Sequence, residues 1–198
     1  MRHKVGSLTA CLIAALGCAT GGPSLTSTWR APEVRQLQFN RAVTSFVSTD
    51  VTMRRTVEDR LATRIPGSFA AYSAIPELSQ TSSAKARAQL RGKLFDGAVV
   101  VRVLDVRNEK ASALGELWAS AYPTFNGYWA ASWSMVRDSA YAVTSKDVVV
   151  EVLIYSLADD RLVWAGRTEA VKPGSTQEFV DHSVDVVVRE LWTTKMLR

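Results

Sequence analysis

The sequence predicts an α/β fold, a single domain whose mixed β-sheet is flanked by helices. Three observations predict it. Short β-branched runs alternate with amphipathic stretches through the first half of the chain. The run AVVVRVLDV, Ala98 to Val106, is almost continuously apolar, as a strand covered on both faces must be. Two further runs, Asp147 to Leu157 and Arg161 to Val171, are separated only by Ala158-Asp159-Asp160, the spacing of a hairpin. The expected order is β-α-β-α-β, an insertion built as an aromatic hairpin, then β-β-α.

Each element has its own local reason. Arg41 to Ser48 (RAVTSFVS) reads as the first strand. Asp50 stands where an N-cap belongs, and Met53, Val57, Leu61 and Ile65 follow at intervals of four, one apolar stripe of a helix. Arg54–Glu58 and Arg55–Asp59 are i,i+4 pairs expected on its exposed side. Pro66-Gly67 ends that helix, and Phe69 to Ile75 reads as a short second strand stopped by Pro76. Ser82 to Leu94 predicts a second helix with Ala86, Leu90 and Leu94 facing inward. Pro173 to Met196 closes the chain as a helix whose apolar face is Val180, Val184, Val187, Val188 and Leu191.

The insertion, at about residues 112–140, is the most unusual segment. From Leu117 to Val136 it carries no charge and holds six aromatic residues: Trp118, Tyr122, Phe125, Tyr128, Trp129 and Trp133. Asn126-Gly127 is a strong hairpin-turn signal. A hairpin with that turn at its tip gathers Trp118, Tyr122, Trp129, Trp133 and Met135 on one face. The six aromatics are the candidate interaction surface. Helical spacing of the same residues is the competing reading; Pro123 argues against the hairpin, but Pro123 and Asn126-Gly127 together damage a helix more. Packing on the domain's own sheet, contact with a protein partner or another copy, and contact with a membrane all remain open.

The amino terminus reads MRHKVGSLTACLIAALGC. Arg2, His3 and Lys4 make a basic head, and Val5 to Leu16 is a mostly apolar run too short to span a bilayer. Ala15-Leu16-Gly17-Cys18 then looks like a bacterial lipobox, so residues 1–17 are expected to be a lipoprotein signal peptide and Cys18 the lipidation site. Residues 18–33 are expected to be the lipidated cysteine and a flexible tether, and residues 34–198 the domain. Ala19, rather than Asp, follows the cysteine; by the enterobacterial sorting pattern this implies the outer membrane, facing the periplasm.

Little chemistry remains for a catalyst. The chain has 24 Lys and Arg against 19 Asp and Glu; removing Arg2 and Lys4 with the signal leaves 22 against 19, a net charge of +3. That mild excess, without a clustered basic face, gives no sign of nucleic acid binding. The cysteines are Cys11 and Cys18 and the histidines His3 and His182, so the mature chain retains no free thiol and one imidazole. Glu178, His182 and Asp185 share a helix face, but a solvated polar face is expected there rather than a metal site. Asp159-Asp160 reads as turn chemistry and Glu58-Asp59 as helix surface. No G-x-S-x-G elbow or phosphate loop occurs. No catalytic residue, cofactor or metal is expected.

The segments RRTVEDRL, AYSAIPE, FDGAVVVRV and VEVLIYSLADDRLVWAGRTEA, with the aromatic insertion between the last two, resemble a family of uncharacterised Gram-negative cell-envelope lipoproteins. The topology is also similar to the amino-terminal domain of TolB and to lipoprotein activators of penicillin-binding proteins. The resemblance implies an envelope location and this fold, and supplies no reaction. The expectation is a non-catalytic, lipid-anchored binding or scaffold module, held by the membrane and working with an envelope protein or as a homo-oligomer. A lipid-anchored hydrolase acting on envelope polymer and a subunit of an oligomeric secretion or assembly complex are the alternatives.

Overall fold

In the computed structural model, which describes residues 25–37, 39–77, 81–105, 117–137, 148–168 and 172–195, the β-branched runs become one six-stranded mixed sheet. The strands are β1 (Leu25–Arg30), β2 (Ala42–Val47), β3 (Ser68–Ala70), β4 (Gly97–Asp105), β5 (Val148–Ser156) and β6 (Arg161–Thr168), in spatial order β1-β6-β5-β4-β2-β3. β2 is parallel to both β3 and β4, and the remaining pairs are antiparallel. The helices are α1 (Val51–Arg64), α2 (Ala71–Ala74), α3 (Ser83–Gly92), α4 (Leu117–Ala121), α5 (Phe125–Arg137) and α6 (Thr176–Thr193).

The α/β class is as expected, and the reason lies in the central strands. Successive side chains of a strand point to opposite faces. Val99 and Val101 of β4 join Val150 and Val152 of β5 against α1 and α6. Ala98 and Val100 join Leu153 and Tyr155 against α3, α4 and α5. Both faces are covered, so the central strands are apolar almost throughout. The stripe Met53, Val57, Leu61 and Ile65 is buried as expected, and so are Val180, Val184, Val187, Val188 and Leu191 of α6. Asp50 caps α1 by accepting from Met53 N at 2.9 Å.

Several expectations are corrected. Part of the expected tether, Leu25–Arg30, is a strand paired antiparallel with β6, and it forms one border of the sheet. Its polar, Gly- and Ser-flanked sequence hid it, because an edge strand needs only half of its side chains covered; exposed and partly covered residues alternate along it. A register shift between Leu25 and Ser27 lets Leu25 pack on the α1/α6 side and Trp29 on the opposite side. The second expected strand stops at Ala70, and Ala71–Ala74 turns instead into the short helix α2. Leu94 does not face inward: it lies beyond α3, with φ 64°, and is 77 % exposed. Arg54 and Glu58 do not lie on the exposed side of α1 but are both buried. A helix lying on a sheet buries a wider arc than one stripe, so the positions following Met53 and Val57 are covered too.

The largest correction concerns the aromatic insertion, which is a pair of helices, α4 and α5, rather than a hairpin. Pro123 occupies the link between them, where it interrupts neither helix. Thr124 caps α5, its carbonyl accepting from Tyr128 N and its Oγ1 from Gly127 N, both at 3.1 Å. Asn126-Gly127 therefore falls in the first turn of α5, and neither residue has the positive φ that a type I′ turn requires. Asp160 of the β5–β6 turn completes the cap: its carboxylate accepts from Phe125 N and from the Asn126 side chain, each at 3.1 Å.

Candidate functional site

The densest polar cluster of the described residues lies under α4 and α5, on three neighbouring strands. Arg102 of β4 is opposite Glu151 of β5, and Glu151 is opposite Arg167 of β6. The register thus places one carboxylate between two guanidiniums on the face covered by the aromatic helices. Arg102 Nε and Nη2 each approach Glu151 Oε1 at 2.6 Å. Arg167 Nε and Nη2 approach Oε2 at 2.7 and 2.6 Å. The Trp118 indole N–H donates to Oε2 at 2.9 Å and the Tyr128 hydroxyl to Oε1 at 3.2 Å. Arg102 also lies over the rings of Tyr128 and Tyr122, 4.9 and 5.1 Å from their centroids, and Arg167 lies 5.7 Å from Trp118.

Glu151 is fully buried, and Arg102 and Arg167 nearly so. Burial alone would raise the Glu151 carboxyl, but Arg102, Arg167 and the Trp118 N–H outweigh it and hold the group below its ordinary range. Burial pushes the Tyr128 phenol well above its ordinary value. The carboxylate therefore stays ionised with both oxygens engaged. It is not placed to take a proton from a substrate. Its consequence is structural: it ties three strands to the two aromatic helices.

The candidate interaction surface is corrected by the same geometry. Trp118, Phe125, Tyr128, Trp129 and Trp133 are all buried to 3 % exposure or less, and Tyr122 is partly buried against the same core. Tyr122 with Tyr128 and Phe125 with Tyr155 of the sheet pack edge to face, while Phe125 with Trp129, Trp129 with Trp133 and Tyr128 with Tyr155 are tilted. The side chain of Met135 lies outside the described residues, as does Cys18.

A second buried carboxylate went unread in the sequence. Glu58 of α1 accepts from Phe46 N of β2 at 3.0 Å and from Tyr72 N of α2 at 2.9 Å. Burial raises its pKa to about 7, against the opposing pull of those two N–H groups and of Arg54. Its neighbour Asp59 faces outward and accepts from the Tyr72 hydroxyl at 2.7 Å.

An open cleft between α1 and α6, about 340 Å³, is lined by Asp59, Arg60, Thr63, Arg64, Asp181, Val184 and Asp185. Four of its charges are paired, Arg60 with Asp181 and Arg64 with Asp185, and the Asp59 carboxylate accepts from the Tyr72 hydroxyl. His182 is partly buried on α6, and among the described residues no group of three His, Cys, Asp or Glu side chains is placed to hold a metal ion. Asp159 and Asp160 serve the β5–β6 turn, Asp159 accepting from Ser156 Oγ at 2.9 Å. A signal for the ionic cluster was present in the sequence. Apart from their ends, β4, β5 and β6 each carry one charged residue in an apolar run, and the signs alternate across the sheet.

No family model matches the chain, and no curated protein matches it. Among solved structures it is similar to a point variant of the PelC dodecamer from Paraburkholderia phytofirmans, with 13 % identity over 87 % of this chain and 99 % of that one and a TM-score of 0.45. A second crystal form of the PelC dodecamer from the same organism has 11 % identity over 87 % and 98 %, with a TM-score of 0.40. At these values neither residue roles nor assembly pass from PelC to this chain.

Proposed function

We propose that this protein is a lipid-anchored, non-catalytic binding or scaffold module of the bacterial cell envelope, held to the outer membrane and facing the periplasm. The observation that carries the reading is the lipobox-like sequence ending at Cys18, followed after only six residues by the first strand of the folded domain. The reading also draws on the resemblance to envelope lipoproteins stated above. Among the described residues no helix is long and apolar enough to cross a membrane, so the described part of the chain offers no helical anchor of its own. The non-catalytic part is supported by the carboxylates. Glu151 is saturated with donors, Glu58 holds two backbone amides, and Asp181 and Asp185 are paired with arginines. Its partners are then envelope proteins or further copies of itself.

The test is the state of the mature amino terminus. Mass spectrometry of the protein from membranes should show a chain beginning at an acylated Cys18. A chain retaining Met1, or one with an unmodified Cys18 thiol, refutes the anchor. Cys18→Ser should leave an unprocessed precursor or release the domain from the membrane fraction. Release of fragments from envelope polymer by the purified domain would refute the non-catalytic assignment and favour the hydrolase.

A further inference from the structure

The sheet has two unlike ends, and the chain enters it at only one of them. Leu25, the first residue of β1, is opposite Thr168, the last described residue of β6. The antiparallel pairing puts Val148 and Asp105 at that same end, and the parallel pairing adds Val47. Both long helices start there, α1 at Val51 and α6 at Thr176, and run side by side toward the other end, since Arg60 meets Asp181 and Arg64 meets Asp185. The opposite end carries the starts of β2, β3 and β4 and the β5–β6 turn. It also carries Leu94, just before β4, and Trp192, in the last turn of α6, which are 77 % and 45 % exposed.

Length decides which end meets lipid. Seven chain steps separate Cys18 from Leu25. Fully extended they reach about 25 Å. The nine-residue strand β4 spans about 30 Å from one end of the sheet to the other. A cysteine fixed at headgroup level therefore holds the Leu25 end near the bilayer and cannot reach past the Leu94 end. Lying on the β1 border is disfavoured by chemistry, because the exposed side chains there are Thr26, Thr28 and Arg30. The Leu25 end instead offers Val51, an apolar side chain 49 % exposed at the first position of α1.

Resting on the lipid-anchor reading above, we infer that the domain stands with its Leu25–Val51 end against the phospholipid headgroups and its Leu94–Trp192 end pointing away from the membrane. The experiment uses the full acylated protein in vesicles of phosphatidylethanolamine and phosphatidylglycerol containing a nitroxide-headgroup lipid. Cys18 is blocked by its acyl group, and Cys11 leaves with the signal. Val51→Cys and Leu94→Cys therefore each supply one labelling site, both at exposed positions. Flotation is measured first. A chain that stays in the aqueous fraction overturns the anchor and the orientation together. In a chain that floats, fluorescence from the label at position 51 should be quenched several-fold more strongly than from the label at position 94. Equal quenching, or stronger quenching at position 94, overturns the orientation and leaves the anchor standing. Trp192→Cys repeats the distal measurement should the Leu94 variant misfold, and the same outcomes apply.

Discussion

Two buried carboxylates set opposite demands on pH, and the contrast comes from their partners. Glu151 faces two guanidiniums and an indole N–H, so it folds as an anion with its pKa lowered. A lowered pKa contributes stability that is present above the ordinary carboxylate value and is lost as pH falls through the folded value. Glu58 has two backbone N–H donors but little else to offset its burial, and its pKa is raised from 4.5 to about 7. Here the folded state binds the extra proton, so stability is full below about 4.5 and is lost as pH rises through about 7. The Glu58 contribution is on the order of 3 kcal/mol, taking 1.4 kcal/mol per pKa unit. Denaturation midpoints measured from pH 3 to pH 9 should therefore peak on the acid side of neutrality. Glu58→Gln should flatten the decline between about pH 5 and pH 8. Glu151→Gln leaves two buried guanidiniums without their carboxylate, which should cost about 3–5 kcal/mol. It should also remove the acid-side loss. A profile of Glu58→Gln that still declines toward alkaline pH would assign that slope to another group.

At the scale of the element, the aromatic helices show what held the fold together and what local sequence concealed. Phe125 and Trp129 sit 5.1 Å apart by centroid and Trp129 and Trp133 5.9 Å apart, with all three rings buried. Trp129→Ser and Trp133→Ser should each destabilise the domain by about 3–5 kcal/mol, the cost of a large aromatic deleted from a core. Thermal melting checks this, and a variant melting like the parent would show that α5 leaves the sheet freely. The central strands, α1, α3 and α6 were legible, because each has a period or an apolar run set by two-sided burial. α5 was not, because Asn126-Gly127 has the same letters in a helix's first turn as in a hairpin. What separates the two is a cap from Thr124 and from Asp160, a residue 34 positions downstream of Asn126. The ionic cluster was hidden for a related reason. Arg102, Glu151 and Arg167 are far apart in sequence, and only strand register brings them together. Glu58 looked like half of a surface pair with Arg54, because four-residue spacing does not say how wide an arc the sheet covers.

For the whole molecule, the strand gained at the amino terminus changes how the domain is bounded. Without β1, the outer side of β6 would be a free edge, and every residue of β6 after Arg161 is buried. An uncovered apolar edge is a template for pairing with another chain. β1 therefore has two effects, adding its own ladder and the partly covered Trp29 to the core, and closing the outer edge of β6. At the other border β3 is only three residues long, itself a protection against edge pairing. Two deletions separate a tether from a strand. Removing residues 19–24 from a soluble form of the domain leaves the ladder intact, and its melting temperature should match the parent's. Removing residues 25–30 should destabilise the domain by on the order of 3 kcal/mol, which at this chain length lowers Tm by about 6–12 °C. It should also produce concentration-dependent association, seen by light scattering, as exposed β6 edges find each other. If both deletions melt like the parent and stay monomeric, Leu25–Arg30 behaves as tether in solution and the sheet is closed by five strands rather than six.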